Sequence, residues 1–147
     1  MLRTIQSADA PEILTIERLT QISPWTIDIF ERCWEAGYLG WLIEEENRIV
    51  GFIVTSFQAA EVHILNICVH PDFQHQGYGQ KLMEHVLALA KARENGIVFL
   101  EVRKSNKKAI SLYQKLHFVQ IGERKNYYLS PQGNEDALVF ALDMSVL

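Results

Sequence analysis

The chain has 147 residues, 48% of them hydrophobic, 22% charged and 10% aromatic, the composition of an ordinary globular protein long enough to bury a real core. Fourteen basic against eighteen acidic side chains leave a net charge of −4, which argues against nucleic-acid binding and leaves a cationic substrate open. No apolar run approaches the roughly 18 residues that span a bilayer, no basic segment followed by an apolar one opens the chain, and Cys33 and Cys68 lack metal-like spacing, so a reducing cytoplasm is expected.

No repeat, low-complexity tract or Pro/Gly-rich linker divides the chain, so residues 1–147 read as a single domain. Leu2 to Ser7 is expected to form a first strand. Asp9-Ala10-Pro11-Glu12 then has the form of a helix start, with Asp9 able to cap and Glu12 able to reach back, and Ile13, Ile16, Leu19 and Thr20 follow at helical spacing. Ser23-Pro24-Trp25 breaks this helix, and a second begins near Thr26, where Trp25 and Phe30 can form a hydrophobic staple. Leu39 to Ile43 and Ile49 to Phe57 are β-rich runs around the turn Glu46-Asn47-Arg48, an expected antiparallel hairpin.

Val62 to Val69 reads as a further strand. A Gly-rich loop leads from it into a long helix from about Gly79 to Asn95, with Leu82, Met83, Val86, Leu87 and Ala90 on one stripe. Ile97 to Val102 reads as a strand buried on both faces, followed by a helix from about Asn106 to Leu116. Phe118 to Leu129 and Ala137 to Met144 close the chain as a hairpin around Ser130 to Asn134. This order predicts a mixed α/β sheet with helices on both faces.

Residues 66–79, Asn-Ile-Cys-Val-His-Pro-Asp-Phe-Gln-His-Gln-Gly-Tyr-Gly, hold the most chemistry. A strand ends at Pro71, and two glycines lead straight into a helix whose first N–H groups have no partner within it. With the helix dipole, such a terminus can cradle a pyrophosphate; an ordinary βα turn carries the same glycines.

Gln74-x-x-Gly77-x-Gly79 matches the [Gln/Arg]-x-x-Gly-x-[Gly/Ala] signature of the GNAT superfamily of N-acetyltransferases, and the flanking strand and helix stand where that family has them. The element order resembles the family over nearly the whole chain. The resemblance implies a GNAT-like, mostly antiparallel central sheet and acetyl-CoA as cosubstrate, with no metal. It further implies that the backbone of Ile67, Cys68 and Val69 pairs with the pantetheine arm, and that Gln74 belongs to the cofactor-binding set. His75, Gln76, Gly77, Tyr78, Gly79 and Gln80 would hold the pyrophosphate, although basic residues are common at the positions of His75 and Gln76.

A second constellation runs from Leu100-Glu101-Val102-Arg103-Lys104-Ser105-Asn106 through Tyr113 to Leu116-His117-Phe118. Asn106 and Tyr113 lie seven apart, two helical turns, and can share a side. By resemblance Asn106 contacts the cofactor arm and Tyr113 faces the thioester sulfur. His117 stands where the family has Gly, which puts the helix cap in question rather than the chemistry. Residues 100–106, Asn126-Tyr127-Tyr128, Gly133 to Ala137 and Ser23-Pro24-Trp25 with Phe30 resemble a narrower group, the RimI-type ribosomal-protein-alanine N-acetyltransferases. That resemblance implies the N-terminal α-amine of a small-subunit ribosomal protein as substrate, with no nucleic acid or membrane as partner.

An α-amine has a pKa near 8 and is largely protonated at neutral pH, so a base must deprotonate it. Glu101 is the only charge in its apolar strand, and burial is expected to raise its pKa toward a useful range; it is the base by resemblance, or else a strand-end partner for a cation. Tyr113 is the expected acid, or a packing aromatic. His63 and His70 read as ordinary strand and turn residues, Tyr127 and Tyr128 as peptide grip or packing. Arg124-Lys125 and Lys107-Lys108 read as solvated faces, the second pair within reach of the cofactor's adenosine phosphate. Two rivals share this sequence: a relative acting on a small amine or antibiotic, and a non-catalytic acyl-CoA sensor, against which the joint presence of Glu101 and Tyr113 speaks.

Overall fold

The computed structural model describes residues 1–146. Strand β1 (Leu2–Thr4) leads into α1 (Ala10–Thr20) and α2 (Ile27–Glu35); β2 (Leu39–Glu45), β3 (Arg48–Phe57) and β4 (Glu61–Val69) follow. The second half runs α3 (Tyr78–Ala92), β5 (Ile97–Arg103), α4 (Lys107–Lys115), β6 (Val119–Tyr128) and β7 (Glu135–Asp143). The seven strands form one sheet in the order β1-β2-β3-β4-β5-β7-β6, antiparallel throughout except for the β4–β5 pair. The mixed sheet expected from the element order is the one observed. Among the described residues no helix is long and apolar enough to cross a membrane.

Local chemistry explains the boundaries. The β2–β3 turn is Glu46-Asn47 with φ 51° and 63°, the doubly left-handed pair that matches strand twist in a two-residue hairpin. Thr26 caps α2 by accepting from the Ile29 N–H. At α1 the expected reach-back of Glu12 is not made: Glu12 accepts from the Ile49 N–H at 2.7 Å, and Asp9 serves the Gln6 N–H at 2.7 Å while pairing with Arg3.

Helices cover both faces. Ile13, Ile16 and Phe30 of α1 and α2 pack on Phe52 and Val54, whereas Leu82, Met83 and Val86 of α3 pack with Ile53, Val62 and Ile64. Two expectations are corrected. Leu19 is exposed and Glu17 is buried, because α1 turns its 13, 16 and 17 positions inward. Strand β5 is not buried on both faces; Val98, Leu100 and Val102 are buried, and the alternate residues Phe99, Glu101 and Arg103 are only partly covered.

Candidate active site

The site is opened by a break in the middle of the sheet. Strands β4 and β5 pair only from Glu61 with Ile97 to Ile64 with Leu100, whereas β3 stays paired with β4 as far as Val69. In the β3–β4 register Thr55 faces Ile64 and Val54 faces Asn66, so Leu65 is an extra residue, a β-bulge. A bulge bends its strand, and from Leu65 to Val69 the β5-side edge of β4 carries no strand. Strand β5 turns instead to β7, with which it pairs along its whole length. Two cavities fill the resulting wedge, and Gln21, Ile67, Asn106 and Tyr113 line both.

The larger cavity, about 470 Å³, follows the free edge of β4 to the start of α3. Ile67, Cys68, Val69, Gln74, His75, Gly77, Tyr78, Gly79, Gln80 and Asn106, residues that the resemblance assigns to the cofactor, line it. Gln76 does not; it is exposed in the turn between His75 at φ 66° and Gly77 at φ 86°, outside the lining. Gln74 turns inward and donates from Nε2 to the Val69 carbonyl at 3.1 Å, which ties the loop to the strand. Gly77 is the left-handed N-cap of α3, and the first main-chain bond runs from the Lys81 N–H to its carbonyl, so the earlier N–H groups have no partner within the helix. A Cβ at Gly77 meets no atom within 4 Å, so the mouth of the helix is open. Lys108 adds a cation beside His75, 3.3 Å away. An open strand edge, bare helix N–H groups and a nearby cation fit the amide-bearing arm and diphosphate of a coenzyme A.

The smaller cavity, about 220 Å³, lies between β5, the α1–α2 loop and the end of β6. Glu101 faces it from the half-covered side of β5, with Tyr127 and Tyr128 opposite. His63 Nε2 lies 2.6 Å from Glu101 Oε2, stacked on Phe99, and Arg124 lies 3.7 Å from the other oxygen. The hydrogen bond to His63 is the main cause that holds the Glu101 carboxyl below its ordinary value, outweighing burial. This corrects the expectation that burial would raise it. Glu101 is therefore ionised in the neutral range, with both oxygens free of a proton, and is a weaker base than an ordinary carboxylate.

Tyr113 sits between the cavities, packed against Phe118 and Phe140 with ring centroids 6.1 and 6.4 Å away. Burial pushes its phenol up, so it stays protonated and can donate. Asn106 uses Oδ1 to cap α4 at the Ala109 N–H, 3.2 Å away, which fixes the side chain two turns from Tyr113. Burial, and then the Glu17 carboxylate, push the Cys68 thiol up, and an un-ionised thiol is a poor acyl carrier.

Three residues of the site escaped the sequence reading. By sequence His63 reads as an ordinary strand residue, and only the β4–β5 register brings it to Glu101. Glu17 is 1% exposed and lines the smaller cavity; the one signal was a carboxylate four residues after Ile13, within an apolar stripe. Arg103 donates to the Leu129 carbonyl at 2.9 Å, pairs with Glu135 and lies 4.6 Å over the Tyr128 ring, tying the end of β6 to β5. Among the described residues no group of three or more His, Cys, Asp or Glu side chains is arranged to hold a metal. His70 caps the short turn after β4, its Nδ1 accepting from the Asp72 N–H.

A sheet splayed beside a helix with a left-handed glycine N-cap, with a phenol where two clefts meet and a carboxylate facing one of them, suits acyl transfer. Residues 1–118 match the Acetyltransferase (GNAT) family, and the chain belongs to that family and is an acetyltransferase. It is 33% identical over 145 residues to the [ribosomal protein bS18]-alanine N-acetyltransferase of Escherichia coli K12, covering 99% of this chain and 98% of the relative. With the Salmonella typhimurium LT2 enzyme of the same name identity is 35% over 142 residues, covering 97% and 96%. The crystal structure of the ribosomal-protein-S18-alanine N-acetyltransferase from Escherichia coli superposes with a TM-score of 0.92 at 33% identity, over 98% of this chain and 93% of that one.

Proposed function

We propose that this protein transfers the acetyl group of acetyl-CoA to the N-terminal α-amine of a protein, the N-terminal alanine of ribosomal protein bS18. The whole chain works as one catalytic domain in the cytoplasm, by direct transfer within a ternary complex. The observation that carries this reading is the meeting of the two clefts at Asn106 and Tyr113, one bounded by the bare strand edge and helix mouth, the other by Glu101. The choice of acceptor rests on the likeness to the bS18-alanine enzymes over almost the full length of both chains.

In this reading the free edge of β4 at Ile67, Cys68 and Val69 receives the pantetheine arm, and the backbone from His75 to Gln80 receives the diphosphate. Glu101 takes the proton that the α-ammonium must lose before its nitrogen can attack. The new C–N bond replaces the C–S bond, Tyr113 gives its proton to the departing thiolate, and the second proton that leaves the nitrogen restores the phenol through solvent. The un-ionised Cys68 thiol favours direct transfer over a covalent acetyl-enzyme.

Incubation with acetyl-CoA and a panel of N-terminal peptides, with the added acetyl group located by mass spectrometry, tests the reading. Modification is expected at the α-amine of an alanine-initiated peptide of bS18. Equal acetylation of a peptide with a blocked N-terminus and a free lysine would overturn it, as would turnover confined to small amines. Absence of any turnover with stoichiometric acetyl-CoA binding would favour a sensor.

A further inference from the structure

Glu17 is a carboxylate in a place that packing alone would fill better with a hydrocarbon. It lies on the inward face of α1 beside Ile13 and Ile16, 1% exposed. A buried charge stabilises a fold poorly compared with an apolar side chain of like volume, so its presence calls for directional bonds that an apolar residue cannot make. Glu17 makes three. Oε2 accepts from the Trp25 backbone N–H at 2.7 Å. Oε1 accepts from Asn66 Nδ2 at 2.6 Å and from the Cys68 thiol at 3.1 Å.

Those partners span the two cavities: Trp25 and Asn66 line the smaller one, Cys68 the larger. Trp25 lies in the loop between α1 and α2, a wall of the acceptor cavity. Asn66 and Cys68 lie on β4 just past the bulge, and Cys68 lines the other cavity. The bulge makes the contact possible. Before it, Val62 and Ile64 pack toward α3; one extra residue reverses the parity of the strand, so Asn66 and Cys68 meet Glu17 on the α1 side. Without the bulge the same side chains would lie across the sheet from α1. The bulge thus opens the cofactor edge and also presents Glu17 with its partners.

We infer that Glu17 is a positioning residue that clamps the acceptor loop at Trp25 onto β4 at Asn66 and so holds that wall of the acceptor cavity in place for the peptide. The inference rests on the proposed acetyl transfer for its kinetic consequence and on geometry alone for the clamp. Glu17→Gln keeps one oxygen for the Trp25 N–H but turns an N–H₂ toward the Asn66 amide; Glu17→Ala removes both acceptors. Asn66→Ala breaks the link from the strand side and leaves the Glu17–Trp25 bond in place.

The first measurement needs no substrate. Hydrogen exchange of the Trp25 amide, followed by NMR, should speed up about tenfold or more in Glu17→Ala, with Glu17→Gln intermediate, as expected for a lost hydrogen bond to a charged acceptor. The second is a kinetic split. In Glu17→Gln and Asn66→Ala the peptide KM should rise about tenfold, with kcat within about threefold of wild type and acetyl-CoA affinity by calorimetry within about twofold. A carboxylate that only supports the fold would lower the melting temperature and leave the peptide KM unchanged. Folded Glu17→Gln protein with an unaltered peptide KM, or with the loss carried by acetyl-CoA affinity, overturns the clamp. If wild type ignores the alanine peptide, the proposed acceptor is wrong, and the Trp25 exchange rate still decides the clamp. Should Glu17→Ala not fold, the Glu17→Gln and Asn66→Ala proteins supply both measurements.

Discussion

His63 and Glu101 stand side by side on parallel strands, with the imidazole Nε2 2.6 Å from the carboxylate Oε2. Register sets this pair: β4 and β5 run together for four residues, and the two side chains lie near the end of that run, where the sheet begins to open. Stacking on Phe99, 4.5 Å between centroids, fixes the ring. His63 therefore lowers the pH at which the carboxylate that faces the acceptor cavity takes up a proton. A His63→Phe variant keeps the stack and removes the nitrogen. The Glu101 carboxyl, followed by ¹³C NMR, should then titrate at higher pH, because burial pushes it up once the hydrogen bond that held it down is gone. The sign for stability follows. A carboxyl lowered in the folded state contributes stability above its ordinary value of 4.5, lost as pH falls through the folded value, so His63→Phe should flatten this part of the acid profile. Turnover at pH 5 to 6 should fall more than at pH 8. An unchanged Glu101 titration would remove His63 from this role.

Glu101→Gln keeps the shape of the side chain and removes its ability to take a proton. Acetyl-CoA should bind as in wild type, since the larger cavity is not lined by residue 101. Turnover should fall by about 10²–10⁴, the usual contribution of a positioned base, and recover in part as pH rises toward the pKa of the amine. Tyr113→Phe should also slow turnover without that recovery, because its proton serves the sulfur. Near wild-type turnover of Glu101→Gln at pH 7 removes the residue from the mechanism.

Gly77 and Gly79 have different roles, although both belong to one motif. Gly77 has φ 86°, and an added Cβ meets open space at the helix mouth; Gly79 has an ordinary φ, and its Cβ would touch Leu112 at 3.5 Å, a normal contact. Gly77→Val forces a β-branched residue into a left-handed turn and puts its side chain at the bare N–H groups of α3. Calorimetry should show acetyl-CoA affinity falling about tenfold or more, about 1.4 kcal/mol. Gly79→Ala should cost less. Equal losses would mean that side-chain volume, and not the Gly77 backbone, governs the cradle.

The parts of the fold that rest on local pattern were legible in the sequence. The Glu46-Asn47 hairpin, the Thr26 cap and the seven-residue step from Asn106 to Tyr113 depend on neighbours along the chain, and the residues that would bear the chemistry followed from motifs of that kind. What escaped depends on pairing between strands. No spacing announces that Leu65 is bulged out, yet that residue decides which face Asn66 presents. The partner of Glu101 is 38 residues away and follows only from the β4–β5 register, so burial was expected to dominate a carboxyl that a hydrogen bond controls. Glu17 gives little signal of its own, because Leu19 fits the apolar stripe equally well by composition.

His117 ends α4 in a conformation that suits it poorly. Its φ is 74°, and around it the Phe118 N–H bonds the Tyr113 carbonyl while the His117 N–H bonds the Gln114 carbonyl, each at 3.0 Å. That is the paired arrangement of a Schellman cap, completed by the contact between the Tyr113 and Phe118 rings. Glycine is the usual residue at the left-handed position because it lacks a Cβ, whereas other residues pay about 1–2 kcal/mol there. Part of that gain is offset by the greater freedom of glycine in the unfolded chain, about 0.4–1 kcal/mol. His117→Gly should therefore stabilise by roughly 0.5–1 kcal/mol, raising the melting temperature by about 2–3 °C in a chain of this size. The imidazole is exposed, so no core packing is lost in exchange. Because the cap lies four residues beyond Tyr113 and holds its carbonyl, Tyr113 should keep its place and turnover should be unchanged. A lower melting temperature for His117→Gly would show that the histidine makes a stabilising contact worth more than the strain.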